Sequence, residues 1–163
     1  MNHNPPGTDG PPARNQWLRY WAAVPAEQAE ALAADIAAEY TVKDVTLPQS
    51  GLGLLQLPDS ALNDLYFLGE VPVSHAHVEV ISHDGIHAEG GARLLDDRQS
   101  LVRALAVLDA TLASRLSHHE QALDLLKKGM AKIQETEAER HAMLAATRVD
   151  FSLLGEGSDD DDE

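Results

Sequence analysis

Apolar residues recur at helical spacing near both ends of the chain and alternate in the middle, so the pattern itself divides the sequence. From Arg14 to Ala23, RNQWLRYWAA places Trp17, Leu18 and Trp21 on one helical face. Pro25 suits the first turn of a second helix, PAEQAEALAADIAAEY, with Ala29, Leu32, Ala33 and Ile36 as its buried stripe. Whether these are two helices or one kinked helix is left open. YTVKDVTL and GLGLLQL then read as strands joined by a turn at Pro48-Gln49-Ser50-Gly51. Pro58-Asp59-Ser60 breaks the chain again, and DLYFLGEVPV runs extended into SHAHVEVISHDGIH. There Asp84-Gly85 is a hairpin signal, which sets Val73 to Ser82 against Ile86 to Leu94.

The second half is helical. Asp97 is the expected cap of DRQSLVRALAVLDATLASRL, in which Leu101, Leu105, Leu108, Leu112 and Leu116 share a face. A further helix from His118 to about Ala146 presents Leu123, Leu126, Met130, Ile133 and Leu144, with Gly129 as its weak point and QETEAER as a solvated stretch. Beyond it Val149, Phe151 and Leu153 alternate with polar residues. Such a peptide can add to a partner's sheet or fold back as an edge strand of its own. The expected fold is α+β: N-terminal helices, an antiparallel sheet of roughly four to five strands, and a helical C-terminal half with an extended tail. Residues 14–154 read as one domain, between a Pro- and Gly-rich segment 1–13 and an acidic segment 155–163, both expected to be disordered.

Composition narrows the function more than the fold. The net charge is −15, and six of the 27 acids lie in Glu156 and Asp159 to Glu163, leaving 21 acids against 12 bases elsewhere. A chain this acidic repels nucleic-acid backbones and anionic lipid. There is no cysteine, which excludes disulfides, thiolate nucleophiles and cysteine-bound zinc. No apolar run of about 18 residues and no signal-peptide pattern is present, so a soluble cytoplasmic protein is the default.

Candidate chemistry concentrates in the histidines. His75, His77 and Glu79 project from one strand face, and imidazole with carboxylate is a donor set for zinc or iron. A two-residue turn at Asp84-Gly85 places His87 on the opposite face. The alternative to a metal site on His75, His77 and His87 is a solvated strand face over a core of Ala76, Val78 and Val80. His119-Glu120 opens like the zinc-protease helix motif but has Leu123 where the second histidine belongs. Glu137 and His141 are spaced as a surface pair. Gly51 and Gly53 lack the third glycine and the helix of a dinucleotide loop. Asp96-Asp97 read as helix-start acids. No nucleophile-elbow motif occurs. The residues by themselves assemble no independent active site.

The ordered segments resemble one family. RNQWLRYWAAVPAEQAEALA, QSGLGLLQL, YFLGEVPVSHAHVEVISHDG, DDRQSLVRALAVLDATL and the terminal AATRVDF occur in the order typical of PhnG proteins, small subunits of the carbon–phosphorus lyase core complex. The resemblance spans about Arg14 to Phe151, and Ala146-Thr147-Arg148-Val149-Asp150-Phe151 is its most specific part. It differs at Pro58-Asp59-Ser60-Ala61, Ser74-His75, Leu95-Asp96-Asp97-Arg98 and Ser152, mostly by loss of positive charge. The resemblance implies a non-catalytic subunit without a cofactor of its own. Its partners would be a PhnI-like large subunit and PhnH-, PhnJ- and PhnL-like proteins, with room for a homodimer within the complex. The complex displaces adenine from ATP by a phosphonate, giving ribose 1-phosphonate 5-triphosphate. A separate radical subunit then breaks the carbon–phosphorus bond. Thr147, Arg148, Val149, Asp150 and Phe151 are the expected contacts to the large subunit.

Overall fold

Two tryptophans show how the first apolar face is used. In the computed structural model, which describes residues 11–61 and 63–146, helix α1 (Arg14–Trp21) buries Trp17 and Trp21 edge to face, with ring centroids 5.9 Å apart. Trp17 Nε1 donates to the Pro12 carbonyl at 2.7 Å and Trp21 Nε1 to the Ala122 carbonyl at 3.0 Å, so neither indole N–H is left unpaired. Helix α2 (Ala26–Glu39) starts after a turn, with Pro25 as its N-cap residue. The two helices are therefore separate.

Strands β1 (Thr41–Pro58), β2 (Leu65–Ile81) and β3 (His87–Leu94) form one antiparallel sheet in the order β1-β2-β3. Among the described residues there are three strands rather than four or five, because YTVKDVTL and GLGLLQL are one continuous strand. The chain runs straight through Pro48-Gln49-Ser50-Gly51. β1 is an edge strand, where the missing proline N–H need not cost a ladder bond. Its surplus residues are taken up as bulges: Asp44 pairs with Val78, Thr46 with His77 and Gln49 with His75.

Helices α3 (Gln99–Ala113) and α4 (His119–Ala146) complete the fold. Ser74, Ala76, Val78 and Val80 of β2 and Ala88 and Ala92 of β3 are buried, while their alternate neighbours face outward. α3 lies over this buried face and is itself enclosed by the other helices, so nearly every residue from Leu101 to Leu112 is buried. A methyl group on Gly90 would collide with the Ala106 carbonyl and the Ala110 nitrogen of α3. Gly90 is thus where helix meets strand backbone.

Three helical expectations change. Gly129 is no weak point, since α1 packs onto it so closely that a Cβ would overlap the Tyr20 backbone. The α3 N-cap residue is Arg98, without a side-chain cap; Asp96, not Asp97, accepts from the Arg98 N–H at 2.8 Å and from its guanidinium. Leu144 is 60 % exposed, not on the buried stripe. The segments 1–10 and 147–163, which hold most of the expected N-terminal region, the extended peptide and the acidic end, lie outside the described residues. Among the described residues no helix is long and apolar enough to cross a membrane.

Candidate interaction surface

The histidine strand comes first, because the turn beside it decides its chemistry. Ser82 and Ile86 close a three-residue loop: the Ser82 N–H donates to the Ile86 carbonyl at 2.9 Å and the Gly85 N–H to the Ser82 carbonyl at 3.0 Å. Gly85 sits at φ +79°, a conformation open to glycine at little cost. Ile81 therefore pairs with His87. The register is one residue away from the two-residue turn, and that flips β3 over. His87 shares the outward face with His75, His77 and Glu79; the expected opposite placement is corrected.

Sharing a face does not make these residues one ligand set. His87 Nδ1 lies 2.7 Å from Glu79 Oε1, and His77 Nε2 lies 3.4 Å from Glu89 Oε2. These are two separate diagonal pairs across the strands. His75 stands opposite Arg93, a cation. Among the described residues no group of three or more histidine, aspartate or glutamate side chains is placed to hold a metal ion.

A second polar cluster joins the end of α2 to the α3–α4 turn. Ser117 Oγ donates to Glu39 Oε1 at 2.8 Å, Tyr40 Oη donates to Ser117 Oγ at 2.9 Å, and His118 Nε2 lies 2.9 Å from Glu39 Oε2. The Ser117 hydrogen bond, with help from His118, lowers the Glu39 pKa from its usual range. Serine, histidine and glutamate meet here, but the imidazole addresses the carboxylate and not the hydroxyl. Ser117 donates instead to Glu39, a carboxylate whose lowered pKa makes it a weak base, and the cluster ties two elements together.

The concave surface is equally plain. A groove of about 580 Å³ between α2 and α3 is lined by Ala33, Ala34, Ala37, Ala38 and Ala104 beside Arg103. Its polar lining is Glu30, Ser100 and Arg103, set beside a floor of alanines. Arg103 is already held by Asp44 at 2.7 Å.

The unusual feature is the far half of the β1–β2 hairpin. β3 ends at Leu94, opposite Ser74. α3 begins at the same level, where Gln99 Nε2 donates to Ser50 Oγ at 3.0 Å. From Gly51↔Val73 to Pro58↔Leu65 the ribbon continues as two strands. That projection is about 25 Å at roughly 3.3 Å per residue. Leu52 and Leu54 share a face with Pro72 and Glu70. Past a bulge at Leu68 the same face carries Leu65 and Phe67. Gly69, beside the bulge, sits at φ +153°. Leu52, Leu54, Leu65 and Phe67 are each 62–69 % exposed, and Tyr66 on the other face is 47 % exposed. Scattered exposed leucines are ordinary in proteins, but a contiguous apolar face marks a site of contact. The tip closes through Asp59, whose N–H donates to the Asp64 carbonyl at 2.8 Å and whose Oδ1 accepts from the Ala61 N–H at 3.1 Å.

A family model described as phosphonate metabolism protein PhnG matches residues 12–157. The chain belongs to the PhnG family. A search of curated proteins gives no match. Membership makes the chain a phosphonate metabolism protein and a subunit of a carbon–phosphorus lyase complex. A PhnG protein therefore works among partners, which accords with a long apolar ribbon that the other described residues leave uncovered. The expected partner contacts Thr147, Arg148, Val149, Asp150 and Phe151 fall within the matched sequence but outside the described residues. The ribbon was the surface that strand patterns missed. Its signal is GLGLLQL and DLYFLGEV, two runs with too few polar positions to give one solvated face.

Proposed function

We propose that this chain is a structural, non-catalytic subunit of the carbon–phosphorus lyase core complex. It would support formation of ribose 1-phosphonate 5-triphosphate from ATP and a phosphonate in the cytoplasm. Its principal partner would be a PhnI-like large subunit, with PhnH-, PhnJ- and PhnL-like proteins completing the assembly. Thr147 to Phe151 would contribute to that contact. The observation that carries the reading is the projecting ribbon. A chain of a family that works in a complex exposes an apolar arm far larger than its own core needs. Co-expression with the neighbouring subunits tests it. The expected result is a stable, stoichiometric complex containing the large subunit. A well-folded chain that never co-purifies with that subunit would refute it.

A further inference from the structure

The β1–β2 arm between Gly51 and Val73 carries three acids, Asp59, Asp64 and Glu70, and no lysine, arginine or histidine. Among the described residues none of the three has an ion-pair partner; the nine ion pairs all lie elsewhere. Glu70 flanks Leu54 directly across the ribbon, and Asp59 and Asp64 stand at the tip beyond Leu65. The apolar stripe is therefore framed by uncompensated negative charge.

The geometry points to one occupant for this stripe: an apolar groove on a different protein, rimmed by lysine and arginine, into which Leu52, Leu54, Leu65 and Phe67 insert. Apolar anchors supply affinity when they are desolvated at the centre of an interface, and opposite charges at the rim select the partner and speed its approach. A second copy of this chain fits poorly. Arm against arm would bring three acids against three, within a molecule of net charge −15. The groove between α2 and α3 offers Arg103 beside Glu30, and Asp44 already holds that arginine.

The inference rests on the complex-subunit reading and adds the face that docks and the chemistry that receives it. The test uses the full chain and separately purified PhnI-like large subunit. Leu54→Asp and Phe67→Asp are made, with Glu70→Lys and Asp64→Lys in parallel. Both apolar positions are mostly exposed, so circular dichroism and the melting temperature should match those of the parent chain. Either aspartate should weaken binding by at least about 30-fold, the scale of one hot-spot residue. Either lysine should slow association and flatten its dependence on salt.

If the parent chain binds and both aspartate variants bind within threefold of it, the arm is not the docking face, although the subunit reading stands. If the lysine variants bind as fast as the parent at low salt, the basic rim is wrong. If the parent chain does not bind the large subunit at all, both readings fall. A parent chain that sediments as a dimer, and as a monomer once Leu54→Asp is introduced, would make the occupant a second copy and overturn the assignment.

Discussion

Asp109 on α3 is the buried charge on which the packing of three elements converges, and replacing it tests the structure most directly. Its side chain is 8 % exposed. Oδ1 accepts from Arg14 Nε at 2.9 Å, and Oδ2 accepts from Arg14 at 2.7 Å and from the Gly91 N–H at 3.0 Å. One carboxylate thus joins the start of α1 to β3 across α3. The hydrogen bond to Asp109 also raises the Arg14 pKa further above its usual value. Hydrogen bonds to a charged group contribute about 1.5–3 kcal/mol each before screening. The Arg14 side chain is 54 % exposed and regains water when released, so its share is discounted. The Gly91 N–H also loses its acceptor, but Gly91 is exposed and water replaces part of that bond, so its share is discounted too. Asp109→Ala should therefore destabilise the fold by about 2 kcal/mol, or a fall in Tm of roughly 4–8 °C for a chain of this size. Asp109→Asn keeps an acceptor for Gly91 but turns an amide toward the guanidinium, and should cost about half as much. Arg14→Ala combined with Asp109→Ala should be less than additive. Urea and thermal unfolding of the parent chain, the three single variants and the double variant measure this. If both Asp109 variants melt within 1 °C of the parent, the carboxylate does not hold these elements together.

Three further outcomes are expected. Gly90→Ala must push α3 off β3 because the clash is with backbone, and should cost on the order of 3 kcal/mol in urea unfolding; Gly129→Ala should act similarly on α1, and neutral results would show that these approaches are looser than described. Glu39 has a lowered pKa, so its tie to Ser117 and His118 is fully present above the ordinary value of 4.5 and is lost as pH falls through the lower, folded value. The Tm difference between the parent and Glu39→Gln should accordingly shrink between pH 6 and pH 3, and a difference independent of pH would remove Glu39 from the account. Because His77 and His87 each face a separate glutamate, His77→Ala should leave the metal content of purified protein unchanged by emission spectroscopy. Stoichiometric zinc lost on that substitution would instead establish the sheet face as a metal site.

The helices and the sheet were legible because burial there follows period. Trp17, Trp21, Ala29, Ala33, Ile36 and the α3 leucines are buried where 3.6-residue spacing puts them. Both errors in the sheet came from reading a turn-like stretch against a stronger signal. In HAEGGARL the small residues Ala88, Gly90 and Ala92 alternate with His87, Glu89 and Arg93. Only a register that puts Ala88 beside Val80 keeps Ala88, Gly90 and Ala92 over the core, and that register needs three loop residues after Ser82. Asp84-Gly85 suggested two. Likewise Pro48-Gln49-Ser50-Gly51 has turn composition, but an edge strand with bulges accommodates both the proline and the surplus residues. The histidine question turned on the same slip. With His87 on the near face, each flanking glutamate reaches one imidazole, and the cluster resolves into pairs.

The arm was legible as strands but not as a surface, since a strand pattern shows what alternates and not what covers it. GLGLLQL and DLYFLGEV have the apolar density of strands buried on both sides. Among the described residues nothing covers either side of the arm, with Leu52 and Leu54 left on one face and Tyr66 on the other. A ribbon of that kind is a ready template for unwanted pairing. Two features of the chain oppose this before a partner arrives. Pro48, Pro58 and Pro72 remove backbone donors along the ribbon, and the bulge at Leu68 breaks its register. The net charge of −15 also repels like chains. The same acidity that keeps two copies apart attracts a basic groove. Protection of the free arm and choice of its partner therefore follow from one property of the sequence.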